Sequence, residues 1–561
     1  MSMMKKIFAL LLTVAMLVCV LAACNKPQEP HNTTPEATTP TETPNNPPAT
    51  PAKKISSVHI TCGETPIENF AATELKWYFI KKNVTISPDG YSITVKIDEN
   101  APKDGYTIVA DENGLVLAGG NNRGIAYGLY GFLEEFLGVH FYSADTIVID
   151  EGDVMIGSGV LAEVAPAFEV WRNPWSPIEQ LAQKDGGNQL EDPDLTKTLT
   201  IGAITSHLDS ETVCLTNSKT QTRAEAFLKD FLSKNPHLQT LIITPNLGEN
   251  NYCTCADCAA INTAEGSPAG TYVRFINKIK AAVSDKYPNL HFAITVRDYL
   301  LTAPTVTKPA QGISVRFTTE GCHISHPLTD ASCPTAASFA QGIQSWGAIC
   351  DGVHVDYCLS ATKDFIPVFA NLGSIQKDMR FFAENGIGSI SFFGNIVCPT
   401  GEFGELRVYL ISKLIQNPTM SEEEYYAYMD SFLKAFYGEG WEYIRKFIDK
   451  TIELAADGHQ TAKDGPLVAI TEEEYLANEA TFDEWWNKAE ELAGDRIDFV
   501  KRARYQWRYV KLCLHPNAED AQALITDAAS NPRVGWREKQ WNVDTANSDL
   551  SKAPSEWKYK S

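Results

Sequence analysis

Basic charge is scarce in this sequence. Of its 561 residues, 48 are Lys or Arg against 70 Asp or Glu, a formal net charge of −22. A surface this acidic repels a phosphate backbone, which argues against nucleic acid as a partner. A dinucleotide-binding loop is also missing, because Gly119, Gly120 and Gly124 in the run GGNNRG do not make the spacing G-x-G-x-x-G. No internal repeat is evident, so a repeat array is not expected. Nor do the cysteines form a paired framework. Of thirteen, eleven remain once Cys19 and Cys24 near the N-terminus are set aside, an odd number scattered irregularly from Cys62 to Cys513.

What is present begins with an export signal. Lys5 and Lys6 precede an apolar stretch that is too short and wrongly flanked for a spanning helix. It ends in Leu21-Ala22-Ala23-Cys24, which resembles a bacterial lipobox. The resemblance implies lipidation of Cys24 and an exported, cell-surface lipoprotein attached to the outer face of the cytoplasmic membrane. The plainer alternative is an ordinary small-residue cleavage site with a bystander cysteine. Residues 25–54 are rich in Pro and Thr, cannot bury a core, and read as an extended linker.

The chain has room for about three or four domains. Residues 55–155 mix strand-like runs (SSVHIT, YSITVKI, GYTIVAD) with helical ones, and Ile125, Leu129, Phe132, Leu133, Phe136 and Leu137 recur at helical spacing. The run GLVLAGGNNRGIAYGLYGFLEEFLGVHFYSAD, residues 114–145, resembles the accessory domain that precedes the catalytic barrel in family 20 hexosaminidases and α-glucuronidases. Residues 160–415 offer eight apolar strand candidates: AFEVW, TIGAI, TVCLT, TLIIT, FAITV, ISVRF, VHVDY and SISFF. Continuous apolar strands separated by amphipathic segments predict a parallel sheet covered on both faces. Residues 416–535 turn helical and 536–561 read as a polar tail. The expected fold class is therefore α/β, a (β/α)8 TIM-like barrel preceded by a small α/β accessory domain and followed by a helical C-terminal domain.

In such a barrel chemistry gathers where the strands end at their C-terminal side. The residues there are Arg172, Asn173, His207, Asn217, Asn246, Glu249, Asn250, Arg297, Asp298, Tyr299, Glu320, Asp356, Tyr357 and Asn395, with Glu402 and Glu405 farther on. Carboxylates, amides, His, Arg and Tyr with little Lys, beside Trp171, Trp175, Trp346, Phe392 and Phe393, suit a sugar, whose hydroxyls take bidentate partners and whose apolar face rests on a ring. Glycoside hydrolysis needs two carboxyl groups across the scissile bond. Glu249 is the expected proton donor and Asp356 the base or nucleophile, with Glu320 a third catalytic candidate. Arg172, His207, Asn217, Asn250, Asp298, Tyr299, Tyr357, Asn395 and Glu402 are the expected substrate contacts. Each has a bland counterpart as a solvated loop residue or a helix cap.

The set CLTN at 214–217, the cysteine loop NYCTCADC, FINKIKAAVSDKYPNLHFAITVRDYLLTAP, the VHVDY segment and GELRVYLISKLIQNP with FLKAFYG resembles the bacterial family called domain of unknown function 4838. That resemblance implies a glycoside-hydrolase-like barrel behind a hexosaminidase-type accessory domain, without an established reaction. The chain departs from the pattern at Leu247-Gly248-Glu249-Asn250, where an Asp is common, and in the short segment from Leu208 to Val213. Cys253, Cys255 and Cys258 fit a structural disulfide, packed thiols, or zinc with a fourth ligand such as His207 or His323. No cofactor is required beyond such a structural zinc.

The sequence thus points to a surface-anchored glycoside hydrolase with a carbohydrate substrate, reaching the membrane through its lipid. A catalytically inactive carbohydrate-binding lipoprotein is the alternative, and a transporter's solute-binding lipoprotein a third. The glycan, the anomeric outcome and the oligomeric state are left open.

Overall fold

The computed structural model describes residues 52–143, 146–168, 170–172, 195–208, 211–246, 248, 250–350, 352–359, 368–394, 403–530 and 543–558. Of residues 170–172 the backbone alone is described.

The first sheet has six strands. They are β1 (Ser57–Cys62), β2 (Thr85–Ile86), β3 (Tyr91–Ile97), β4 (Tyr106–Ala110), β5 (Gly114–Gly119) and β6 (Gly159–Val164), in the spatial order β6-β4-β5-β3-β1-β2. Helices α1 (Pro66–Lys81) and α2 (Asn122–Leu137) share its core, with Leu75, Phe79, Ile125, Leu129, Phe132 and Leu133 fully buried. Thr65 and Glu68 form a reciprocal capping box that starts α1 at Pro66. Asn121 caps α2. The glycines of GGNNRG serve close packing: a Cβ on Gly124 would lie 2.1 Å from the Gly105 carbonyl oxygen, and one on Gly120 2.2 Å from that of Pro102.

The second sheet holds seven parallel strands: β7 (Val170–Arg172), β8 (Thr196–Thr200), β9 (Thr240–Thr244), β10 (His291–Val296), β11 (Ile313–Thr318), β12 (Val353–Cys358) and β13 (Ser389–Phe393). Their order is β7-β13-β12-β11-β10-β9-β8, so the first strand in sequence pairs with the last. Helices α4 (Ser218–Lys234), α6 (Ala269–Ser284), α7 (Pro334–Gly347) and α8 (Ile375–Glu384) follow individual strands and pack on one face.

Two expected strands are not strands. TIGAI becomes α3 (Ile201–Thr205), because the Thr200 hydroxyl accepts a hydrogen bond from the Ala203 N–H at 3.1 Å and caps it; the strand is the preceding TKTLT. TVCLT is a loop leading into α4, whose Val213 and Leu215 are buried at alternate positions that imitate strand spacing. The strands are not apolar throughout either. Leu241 and Ile243, Phe292, Ile294 and Val296, Val315 and Phe317, Val355, and Ile390 and Phe392 enter the main core, while the residues between them are largely polar.

The C-terminal region is helical: α9 (Gly404–Gln416), α10 (Glu422–Tyr437), α11 (Trp441–Leu454), α12 (Glu472–Leu492), α13 (Ile497–Leu514) and α14 (Ala518–Ser530). Helix α11 buries Ile444, Phe447, Ile448 and Thr451, a stripe at i, i+3, i+4 and i+7. Trp486 lies 5.1 Å, ring to ring, from Phe447 within this bundle. In the stretch read as a polar tail, Val543 and Trp557 are buried with Tyr505 and Tyr509.

Tyr357, expected at the sugar, points instead to the helix-packed side, where its hydroxyl donates to Asp378 Oδ2 at 2.7 Å. Asp378 also accepts from the Leu328 N–H at 2.6 Å. Burial raises the Asp378 carboxyl from its usual 3.8 to about 7, against the pull of these two donors. Between those values the folded chain holds a proton that the unfolded chain has released, so this group's stability is complete below about pH 4 and is lost as pH rises to 7. Asp378→Asn keeps an acceptor for Leu328 and removes the titration. Denaturant midpoints are expected to show the variant gaining roughly 2–4 kcal/mol on wild type between pH 4 and pH 8. A pH-independent difference between the two proteins would refute this.

Candidate functional site

The polar face of the second sheet is held by mutual partners. Thr244 on β9 and Thr295 on β10 share a hydrogen bond of 3.1 Å between their hydroxyls. His291 on β10 meets the Ser314 hydroxyl on β11 at 2.7 Å. On β12, His354 bonds Ser389 through Nδ1 and Ser391 through Nε2, the latter at 2.8 Å. The Arg316 guanidinium on β11 grips Asp356 on β12 with both Nε and Nη2, and His354 Nε2 lies 3.4 Å from the same carboxylate. Burial pushes the Asp356 carboxyl up, but the His354 hydrogen bond and the Arg316 charge outweigh it, leaving its pKa below the usual value. Asp356 is therefore an ionised, clamped group.

One step toward the strand ends the chemistry is more open. Arg297, just past β10, places Nε 3.2 Å from Asp298 and Nη2 3.6 Å from Glu320, which follows β11. All three side chains are about a fifth to a quarter exposed, at 20%, 21% and 24%. Lys463, from the loop between α11 and α12, lies 3.1 Å from Glu320. That loop is docked by backbone bonds: the Ile324 N–H donates to the Gln460 carbonyl at 2.9 Å, and the Ser325 hydroxyl to that of Gly458 at 2.6 Å. Asp298 sits at φ 51°, a left-handed conformation that Asp tolerates and that costs of order 1–2 kcal/mol. Tyr299 follows, its ring 5.3 Å from that of Tyr252.

The structure thus brings Asp298 and Glu320 together and sets Asp356 deeper on the same face. Other expected contacts are spent elsewhere. Asn217 caps α4, accepting from the Lys219 and Thr220 N–H groups at 2.9 and 3.3 Å. Asn246 is buried as a brace, accepting from the Gly202 N–H and donating to the Glu211 carbonyl, both at 2.8 Å. Trp346 and Phe392 are core residues, and Trp346 Nε1 donates to the Leu300 carbonyl. Glu405 on α9 is paired with Arg502 on α13, among the helices. His207 is half-buried beside the Thr205 hydroxyl at 3.0 Å, and Asn250 is exposed. Glu249, Asn395, Glu402, Cys24, Asn173, Trp175 and the side chains of Trp171 and Arg172 lie outside the described residues.

Sequence reading missed Arg316, His354 and Lys463. Polar residues at alternate positions of ISVRF and VHVDY were the available signal for the first two, whereas nothing local marked Lys463. It also missed Cys214. The fourth group beside Cys253, Cys255 and Cys258 is this thiol, not His207 or His323, and all four sulfurs lie within 4.8 Å of one another. Cys255 stands at the N-terminus of α5 (Ala256–Glu265), and the Cys258 N–H together with neighbouring thiols draws its pKa down to about 6. His323 belongs to a second group with Cys333 and His459, its Nδ1 3.3 Å from the Cys333 sulfur, which also caps α7.

Residues 204–449 match the family model described as Domain of unknown function (DUF4838). No curated protein matches the chain. Among solved structures, a GH138 enzyme targeting pectin rhamnogalacturonan II is similar at 12% identity and TM-score 0.39, over 85% of this chain and 73% of its own. A GH20 beta-N-acetylhexosaminidase from Streptomyces coelicolor A3(2) is similar at 12% identity and TM-score 0.38, over 69% and 94%. A beta-N-acetylhexosaminidase from Bacteroides fragilis NCTC 9343 is similar at 9% identity and TM-score 0.37, over 70% and 93%. A likeness this loose fixes neither substrate nor reaction.

Asp356→Asn would leave the Arg316 guanidinium in a half-dry site without its counter-charge. The expected cost is roughly 2–3 kcal/mol at pH 7. Because the carboxyl is depressed, that stability exists above the unfolded pKa near 4 and vanishes as pH falls. Chemical denaturation at pH 7 and pH 3 should therefore show a gap between variant and wild type that narrows in acid. An equal gap at both pH values would contradict it.

Proposed function

We propose that the protein is an exported, lipid-anchored glycoside hydrolase that cleaves polysaccharides or glycans, with Asp298 and Glu320 as its paired carboxylates on a (β/α)8-like barrel. The carrying observation is Arg297, which touches both. Two groups on one guanidinium, at 3.2 and 3.6 Å, stand no more than about 9 Å apart, which does not exceed the ~9.5 Å upper limit of the separations that glycosidases use. Strand order supports the barrel. A flat sheet wound in one direction would leave β7 beside β8, whereas pairing of β7 with β13 is what a sheet curled toward closure would have. The strand ends would then face one mouth, with Tyr299 and Tyr252 as the nearby rings. Export and anchoring rest on the basic and apolar N-terminus and Cys24. Among the described residues no helix is long and apolar enough to cross a membrane.

Arg297 and the Arg316–Asp356–His354 network have positioning roles in this reading. They fix the carboxylates and keep the polar face electrically balanced before sugar enters. The second reading, a catalytically silent carbohydrate binder, is favoured by the cations Arg297 and Lys463 that already hold both carboxylates.

A glycan-library screen for newly released reducing ends, followed by calorimetric binding, tests the choice. Glu320→Gln and Asp298→Asn are each expected to lower turnover about 10²–10⁴-fold while sugar affinity changes little. Asn tolerates the left-handed conformation at position 298, so the second variant keeps the local backbone. Full turnover in either variant would remove that carboxylate from the mechanism. Binding without hydrolysis in the unaltered protein would establish the silent binder.

A further inference from the structure

We propose that Cys214, Cys253, Cys255 and Cys258 bind one zinc ion that fastens the loop after β9 to the entrance of α4. Four thiols are gathered here from two chain segments, with Cys214 separated by 39 residues of sequence from the C-x-C-x-x-C run. The Cys214 sulfur lies 3.7 Å from that of Cys255 and 3.9 Å from that of Cys258. A zinc ion with four sulfurs at ~2.3 Å in a tetrahedron sets neighbouring sulfurs about 3.8 Å apart. A disulfide would need ~2.05 Å, and none of these four cysteines is in one.

The surroundings suit a charged metal–thiolate centre. The Thr216 hydroxyl lies 3.3 Å from both the Cys214 and Cys258 sulfurs, as an outer donor that orients ligating groups. Cys255 and Cys258 stand on the first turn of α5, where the helix dipole favours negative charge. Four sulfurs with no nearby carboxylate in the group select a soft or borderline ion and exclude calcium or magnesium. The consequence is mechanical. Residues 250–252 lead directly into the cluster, and the Thr212 hydroxyl bonds Asn251 at 2.7 Å beside it. One ion at its end would hold this loop beside Tyr299 without touching substrate. The inference stands apart from the hydrolase reading and survives its failure.

The test is elemental analysis of the full chain, purified under reducing, oxygen-free conditions with zinc supplied. One zinc per chain is expected, lost in Cys214→Ser and in Cys258→Ser, and kept in Cys62→Ser, Cys513→Ser and His323→Ala. Cobalt substitution should give the thiolate-to-metal absorption of a tetrahedral four-sulfur site, abolished by Cys214→Ser. Should the serine variants fail to fold, a mercurial titration of wild type remains: zinc release in step with modification of four thiols supports the site. Metal-free protein whose peptide map shows disulfides among these cysteines overturns it. So would iron in place of zinc, or zinc that survives Cys214→Ser and disappears in His323→Ala.

Discussion

A charged pair turned inward constrains everything around it. Arg316 and Asp356 project from adjacent parallel strands onto the polar face of the second sheet, where either charge would be costly to leave without the other. Their bidentate contact requires Thr318 to stand opposite Asp356, and a slip of either strand by one residue would turn its charge into the helix-packed core and part the pair. The same register lifts Glu320 above Arg316 along one face and brings it to Arg297. His354, held between Ser389 and Ser391, ties β13 into the arrangement. The polar face is thus a connected network whose members position one another.

The helical region is part of this device. Its loop between α11 and α12 hangs on the Gly458 carbonyl, which accepts from Ser325 and stands 3.0 Å from His326 Nε2, and so delivers Lys463 to Glu320. On the far side, Lys413 on α9 pairs with Glu134 on α2, and the Tyr142 and Ser431 hydroxyls share a hydrogen bond. Helices placed after the second sheet therefore brace both the strand ends and the first sheet. A glycosidase and a sugar-binding protein would need the same rigidity, since both hold a flexible ligand against fixed donors.

Much of this was legible in the sequence for local reasons. TLIIT, FAITV, ISVRF, VHVDY and SISFF are rich in β-branched and aromatic residues and each forms a strand. The helices from 422 onward show apolar stripes that match their buried faces. TIGAI misled because four apolar residues behind a capping threonine make as good a helical turn as a strand. Trp346, inside α7, and Tyr357, at a strand end, misled because an aromatic serves core and sugar equally well by composition. Their hydrogen bonds to Leu300 and Asp378 are facts of packing.

By itself, the sequence determined the alternation of elements, the acidic surface and the cluster of three cysteines, all of which follow from neighbours along the chain. Only the tertiary structure decided which carboxylates meet, that Asp356 is clamped by Arg316, that Cys214 completes a group of four thiols, and that Lys463 reaches Glu320. The physical reason is range. Propensity and capping act over a few residues, whereas charge pairing and ligand geometry act across a few ångströms between residues that the fold brings together from as far as 279 positions apart.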